Sequence, residues 1–209
     1  MTLSVGAFVK RGFDFVVALT ALIICSPLML VTAIAVKLDS PGPVIFRGPR
    51  VGRHGVPFTM FKFRSMTYSE AATDCSVGKN DKRVTKLGFF MRRFKIDELP
   101  QLANVVIGDM SIVGPRPELL RYADSLSGKF APILSVRPGL TDLASLEFSR
   151  VEEVLGSDNP DRVYEERVLP KKNLLRLKYV ETRTFSGDIL IIMETIACVL
   201  RSVTLSSGR

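Results

Sequence analysis

Hydrophobic positions are unevenly distributed along the chain, and the longest apolar run lies near its start. From Phe15 to Val36 there are 22 residues without a charge, bounded by Lys10, Arg11 and Asp14 before and by Lys37 and Asp39 after. A straight helix of that length would cross a hydrocarbon core of about 30 Å. The run is too long for the core of a cleavable leader, and no small-x-small cleavage site follows it. Its midpoint reads Cys25-Ser26-Pro27. Proline removes a helical N–H and clashes with the carbonyl four residues back, so a bend or break is predicted there. Each half would then span roughly 18 Å, too little to cross alone. Both flanks are basic: Lys10 and Arg11 precede, and residues 37–64 carry Lys37, Arg47, Arg50, Arg53, Lys62 and Arg64 against one acid. Positive flanks prefer the cytoplasmic side. A re-entrant helix that turns at Ser26-Pro27 satisfies both flanks; a kinked transmembrane helix satisfies one and is the alternative.

After a helix-stopping Asp39-Ser40-Pro41-Gly42-Pro43, the period changes. Residues 44–46 and 58–64 are strand-like, with Phe61 and Phe63 alternating against Lys62 and Arg64. Between them, Gly48 to Gly55 is glycine-rich and lacks any P-loop spacing, so a basic hairpin turn is favoured over a phosphate cradle. Residues 67–86 are polar and irregular, which predicts a mobile loop. Leu87, Phe90, Met91 and Phe94 then recur as a helical stripe. Phe89 falls off the stripe beside Arg92, Arg93 and Lys95, so this helix lies either at a membrane interface or on a core with a solvated basic face. Pro100 in a first turn places a new helix start around Asp97. Gly114-Pro115-Arg116-Pro117 and Arg137-Pro138-Gly139 are rigid loops. Residues 151–179 alternate charges with Val154, Leu155, Val163, Leu169, Leu174 and Leu177, predicting surface helices. Residues 188–201 are nearly all apolar but too short to span, so they pack or lie on a membrane.

Charge narrows the function. The chain has 209 residues, with 29 basic and 21 acidic, a net charge of +8. Residues 1–144 hold 19 bases and 11 acids and residues 145–209 hold 10 of each, so the whole excess lies in the first two thirds. That suits phosphate-rich ligands or an anionic membrane. Cys25, Cys75 and Cys198 are odd in number and far apart, which disfavours a disulfide framework or a zinc ribbon. A single histidine, His54, disfavours His-based metal sites and Ser-His-Asp chemistry. The reaction falls to carboxylates, bases and a divalent ion.

Asp97 and Glu98 form the most informative pair. At a helix start, free N–H groups and the macrodipole favour an ionised carboxylate, and Arg92, Arg93 and Lys95 push the same way. Such a carboxylate can attack phosphorus or bind magnesium. A pair of acids in a first turn is more often a capping device, but here it has company: Lys62, Arg64, Arg83, Arg92, Arg116 and Arg137 all sit in rigid or glycine- and proline-marked contexts. A pyrophosphate substrate needs such fixed cations.

The runs Lys62-Phe63-Arg64-Ser65-Met66, Asp97-Glu98-Leu99-Pro100-Gln101-Leu102 with Asn104-Val105 and Gly108-Asp109-Met110-Ser111, Val113-Gly114-Pro115-Arg116-Pro117 and Val136-Arg137-Pro138-Gly139 together resemble the small monotopic phosphoglycosyl transferases, the bacterial sugar transferase family. The resemblance covers nearly the whole chain from about Lys10. It implies a re-entrant membrane helix broken at Ser26-Pro27, a UDP-linked sugar donor, a polyprenyl phosphate acceptor such as undecaprenyl phosphate, and Mg2+. By that similarity Asp97 is the nucleophile, Glu98 assists with Asp97 at the metal, and Arg92 holds phosphate. Asp142 stands where the family often has glycine, which bears on donor choice.

The resulting expectation is an α/β, membrane-associated enzyme. Residues 1–38 form a re-entrant anchor, and residues 39–209 form a compact, mostly helical catalytic domain with a small β-hairpin and interfacial amphipathic helices. It sits on the cytoplasmic face of a bacterial inner membrane and binds no nucleic acid. A metal-dependent hydrolase of nucleotide sugars and a membrane-tethered nucleic-acid binder are the rival readings; the second lacks stacking aromatics and binding motifs.

Overall fold

The computed structural model describes residues 5–67, 81–148 and 159–204, with side chains of 6–67, 81–148 and 159–201. The expected loop at 67–86 falls mostly outside the described residues, as do Val154 and Leu155. The protein is mostly helical with two small sheets.

Helix α1 (Val5–Asp39) carries the apolar run. Among the described residues it is the one helix long and apolar enough to cross a membrane. Of the predicted bend or break, the break is absent: the helical run continues through Pro27. The reason is local. Pro27 lacks the N–H that would reach the carbonyl of Ile23, and the Ser26 hydroxyl donates to that carbonyl instead, at 2.8 Å.

Both ends of α1 are fastened to the same globular body. Near its start, Arg11 donates to the carbonyls of Val105 and Val106 at 2.6 and 2.9 Å. Buried Asp14 accepts from the Ser111 hydroxyl at 2.8 Å and the Ile112 amide at 3.2 Å. At its other end Val36 packs with Phe63 and Met91, and Arg64 gathers the carbonyls of Val36, Ser40 and Pro41. The opposite face is bare: Phe8, Phe15, Val16, Leu19, Ile23, Ile24, Leu30 and Val31 are all exposed. An apolar face that long is a site for lipid or protein.

Strands β1 (Ile45–Val51) and β2 (Pro57–Phe63) pair antiparallel from Ile45 opposite Phe63 to Val51 opposite Pro57. The exposed His54, at φ 58°, and Gly55, at φ 75°, turn the hairpin. The hairpin the sequence favoured is present, but its turn is confined to residues 52–55, and residues 48–51, expected in the turn, belong to β1. Helix α2 (Lys86–Arg93) is capped by the Thr85 hydroxyl, which accepts from the Gly88 amide. Gly88 is required here, since a Cβ would lie 1.9 Å from the Ser65 carbonyl oxygen. Met91 is the buried anchor of α2, while Phe90 joins Phe89 in solvent, contrary to the sequence stripe. An eight-residue helix is too short to bury a broad stripe, and Phe90 instead packs on Phe94 at 4.7 Å.

Helix α3 (Gln101–Ile107) follows, then strand β3 (Ser111–Val113), two 3-10 segments (Leu120–Leu126 and Gly128–Ser135) and strand β4 (Gly139–Thr141), parallel to β3. Helix α4 (Leu143–Glu147) leads out of β4. Helix α5 (Pro160–Val163) runs through a π-helical turn (Tyr164–Val168) into α6 (Leu169–Thr182), and α7 (Phe185–Thr204) closes the fold. The main core joins Ala18 of α1, Met60 of β2, Leu102 and Val105 of α3, Ile112 of β3 and Ile191 of α7. Burying each such side chain contributes about 1.5–3 kcal/mol for the larger aliphatic ones.

One further expectation is revised. Helix α6 is no surface helix: Lys172, Asn173, Arg176 and Tyr179 are buried, while Leu174 is exposed. Its polar residues face inward because Glu118, Asp142 and Asp188 supply buried partners. Helix α7 packs through Asp188 and Ile191 but leaves Leu190, Met193, Ile196 and Leu200 exposed, a second apolar stripe. Phe185 meets Phe13 of α1 edge-on at 5.1 Å, which brings the start of α7 against the first part of α1.

Candidate active site

Asp97 and Glu98 lie on a 3-10 turn (Ile96–Glu98) between α2 and α3, rather than in the first turn of an α-helix. Lys95, at φ 57°, sits in the left-handed region and reverses the chain after α2. That strained residue directs Asp97 into the protein and Glu98 toward β2. Asp97 is 5% exposed, and its Oδ1 has no hydrogen-bond partner among the described residues.

Glu98 is fully engaged. Lys62 of β2 reaches Glu98 Oε1 at 3.1 Å. Arg116 grips both oxygens, Nη1 donating to Oε2 at 3.2 Å and Nη2 to Oε1. The backbone that carries these groups is laced together. Asn104 of α3, fully buried, accepts from the Phe61 amide at 3.0 Å and donates to the Thr59 carbonyl at 2.7 Å, tying α3 to the strand that carries Lys62. The Arg116 loop is held by β4, with Gly114 donating to the Thr141 carbonyl and Gly139 to the Pro115 carbonyl, each at 3.0 Å. Glycine is needed at both positions because the backbones touch: a Cβ on Gly139 would lie 2.1 Å from the Gly114 nitrogen.

The two acids are driven apart electrostatically. Burial raises the Asp97 carboxyl above the usual carboxylate range; Lys62 pulls it down, the Glu98 charge adds to the rise, and Lys95 and Arg92 pull weakly down. This reverses the direction expected from a helix start, because desolvation outweighs the nearby cations. Burial alone would raise Glu98 too, but Arg116, Lys62 and Lys95 hold it well below the usual range. Burial and the Arg116 charge push the Lys62 ammonium below its ordinary value, against Glu98 and Asp97. The result is one acid held toward its ionised form between cations, and one desolvated acid with an idle oxygen.

The family profile described as Bacterial sugar transferase matches residues 5–202. The chain belongs to the bacterial sugar transferase family. It is 36% identical over 195 residues to "UDP-glucose:undecaprenyl-phosphate glucose-1-phosphate transferase" of Caulobacter vibrioides, covering 91% of this chain and 69% of that protein. It is 36% identical to "UDP-N-acetylgalactosamine-undecaprenyl-phosphate N-acetylgalactosaminephosphotransferase" of Aeromonas hydrophila, over 93% of this chain and 44% of that protein. A glucose-1-phosphate transferase of Escherichia coli, with the same name as the Caulobacter protein, matches at 38% over 92% of this chain and 40% of its own length. The chain thus spans less than half the length of two of these three relatives.

Within this family member, the cations singled out from sequence divide into three groups. Lys62 and Arg116 converge on Glu98. Arg92 donates from Nε to the Ser65 hydroxyl at 2.8 Å and lies close enough to Asp97 and Asp81 to act on both charges. Arg83 forms a two-pronged pair with Asp81, with Nε at 3.0 Å from Oδ1 and Nη2 at 2.6 Å from Oδ2. Arg64 and Arg137 do a different job. Arg64 is 6% exposed and caps the carbonyl end of α1. Arg137 donates from Nε to the Gly108 carbonyl at 2.8 Å, just past the end of α3. Carbonyls at helix ends attract arginine as readily as phosphate does, so Arg64 ties down the end of α1 and Arg137 the turn after α3, and neither of these contacts converges on Glu98.

Sequence reasoning missed Gln101 as a separate feature. It is fully buried one turn beyond Asp97, and neither amide atom has a hydrogen-bond partner among the described residues. Arg11, read from sequence only as a basic flank, turns out to tie α1 to the end of α3, and Arg176 was not singled out at all. Among the described residues, no three His, Cys, Asp or Glu side chains converge as a ready-made metal cage. Magnesium, however, keeps several waters and takes one or two carboxylates plus substrate phosphates. The Asp97 carboxylate could supply one such ligand through one oxygen and leave the other for chemistry; Glu98 would join only by sharing its oxygens with Lys62 and Arg116.

Proposed function

We propose that the protein transfers a sugar-1-phosphate from a UDP-sugar to a membrane polyprenyl phosphate, undecaprenyl phosphate, and releases UMP. The observation that carries this reading is the buried, partnerless Asp97 Oδ1 beside an acid locked by Lys62 and Arg116. The curated relatives, whose names specify sugar phosphate transfer to undecaprenyl phosphate, support the substrate classes.

Asp97 attacks the sugar-linked phosphorus through its idle oxygen. The bond from that phosphorus to the bridging oxygen breaks, UMP departs with that oxygen, and an acyl phosphate remains on Asp97. An oxygen of the lipid phosphate then attacks the same phosphorus and breaks the bond to Asp97, restoring the carboxylate. Splitting the transfer keeps two polyanions from occupying the site together. Magnesium, when bound at Asp97 with the substrate phosphates, would offset the charge of the pyrophosphate. Lys62 and Arg116, fixed by Glu98, would hold phosphate oxygens beside the nucleophile, and Arg92 would do so from α2.

The topology that fits best is re-entrant, with α1 entering and leaving one leaflet at the cytoplasmic face of the inner membrane. The support is that Arg11 and Asp14 at one end of α1, and Val36 at the other, all bind the same globular body. A spanning helix would place those ends on opposite sides. The exposed faces of α1 and α7, with Phe89 and Phe90, would supply the lipid contact.

The test is a panel of UDP-sugars scored for UMP release with and without undecaprenyl phosphate. Multiple turnovers that require the lipid support transfer. Continued UMP release without it would make the protein a nucleotide-sugar hydrolase.

A further inference from the structure

Asp142 lies between β4 and α4, and its side chain is fully buried. Its two oxygens do separate work. Oδ1 accepts from the Ser145 amide at 2.6 Å and caps α4. Oδ2 accepts from the Arg116 amide at 3.0 Å. This second bond begins where the β3–β4 ladder ends. Gly114 and Pro115 are bonded to the main chain of residues 139–141, whereas Arg116, the next residue, finds a side-chain carboxylate. The Arg116 guanidinium leans on the same segment, with Nη1 3.3 Å from the Leu140 carbonyl.

The carboxylate is backed in turn. Arg176 of α6, 1% exposed, has Nε 3.8 Å from Asp142 Oδ2, and Nη2 on Glu118 Oε1 at 2.6 Å. Tyr164 also donates to Glu118 Oε1, at 2.5 Å. A line of alternating charge therefore runs inward from the reacting acids: Glu98, Arg116, Asp142, Arg176, Glu118. Each buried charge has an opposite neighbour, which is the condition for keeping it ionised away from water.

We infer that Asp142 is a positioning residue for Arg116, fixing the backbone of the Gly114–Pro117 loop so that the guanidinium meets Glu98 with both prongs. Arg176 is the counter-charge that makes this carboxylate tolerable at full burial. The assignment of a catalytic consequence rests on the transferase reading above; the assignment of the hold itself does not.

Asp142→Ser separates the two jobs. The hydroxyl still caps α4, but it is too short to reach the Arg116 amide as well. Two measurements on the full-length protein judge the inference. In hydrogen–deuterium exchange, peptides containing the Arg116 amide should exchange faster in the variant, while peptides in α3 remain unchanged. In nucleotide-release kinetics, kcat should fall on the order of tenfold with little change in KM, since small misplacements of a fixed group can cost up to about a hundredfold. In an Arg116→Lys background the same substitution should cost almost nothing more, because the prong it positions is already lost. Unchanged exchange at Arg116 overturns the hold. A loss that adds in full to Arg116→Lys overturns its action through Arg116 and leaves Asp142 a helix cap. Should the unmodified protein transfer no phosphosugar, the proposed function falls, and the exchange result still decides whether Asp142 holds Arg116.

Discussion

Arg116 and Glu98 form a two-pronged, partly buried ion pair, and its consequence falls on the neighbour it leaves out. With Glu98 committed to Arg116 and Lys62, Asp97 is left desolvated, with one oxygen unpartnered. One acid sets the field and the other is available to react. Adjacent carboxylates in separate environments can take separate roles in this way.

Arg116 should not tolerate lysine. A single ammonium cannot reproduce both prongs, so Arg116→Lys should lower kcat by at least about tenfold, and Arg116→Ala should be worse. Circular dichroism and steady-state UMP release check this. Near-normal turnover in the alanine variant would make the pair purely structural.

Arg64 and Arg137 should behave in the opposite way. Arg64→Ala strands three carbonyls and should cost stability of about 1–3 kcal/mol, with a smaller loss for Arg137→Ala. Substrate KM should stay close to that of the unmodified protein in both. Thermal unfolding with kinetics on the surviving folded protein measures the two effects separately.

The pH profile follows from the directions of the shifts. Asp97 must be ionised to attack, and burial raises its pKa, so activity should fall with acidity at a pH above the ordinary carboxylate range. Lys62 is pushed below an ordinary lysine, so the alkaline limb should also arrive early. Stability gives the sign check. An acid whose folded pKa is raised binds more protons folded than unfolded, so ionised Asp97 costs stability above that pKa. Asp97→Asn should therefore melt higher than the parent at neutral pH while losing activity.

Much of this site was legible in sequence, for physical reasons. The hairpin showed in the alternation of Phe61 and Phe63 with Lys62 and Arg64, and the rigid loops showed in Gly114-Pro115-Arg116-Pro117 and Arg137-Pro138-Gly139. What sequence could not show was direction. Arg64 and Arg116 have the same chemistry, and only tertiary placement sends one to the end of α1 and the other to Glu98. Charge alternation in 151–179 suggested solvent, and pattern alone could not show that Arg176 and Lys172 have Glu118 and Asp142, far away along the chain, as their opposite charges. Asp97 was expected on a helix start, and the left-handed turn at Lys95 that displaces it has no glycine to announce it.

Topology is open to direct measurement. Single cysteines at positions 5 and 40, in a background without Cys25, Cys75 and Cys198, should both be shielded from an impermeant reagent applied to intact cells. Labelling of position 5 from outside would make α1 a spanning helix. Replacing Ser26 with Ala and Pro27 with Leu restores an ordinary helical N–H and should shift the N-terminus outward.

The central claim is that Asp97 itself takes the phosphosugar, and mass spectrometry of the enzyme incubated with donor alone tests it most directly. The account predicts one burst of UMP equal to the enzyme present, and one added phosphosugar mass on the peptide containing Asp97. Both should be absent in Asp97→Asn, whereas Glu98→Gln should keep some adduct but turn over poorly. Release of UMP only when lipid phosphate is present, with no adduct at any time, would contradict the account and reduce Asp97 to a metal ligand in a direct displacement.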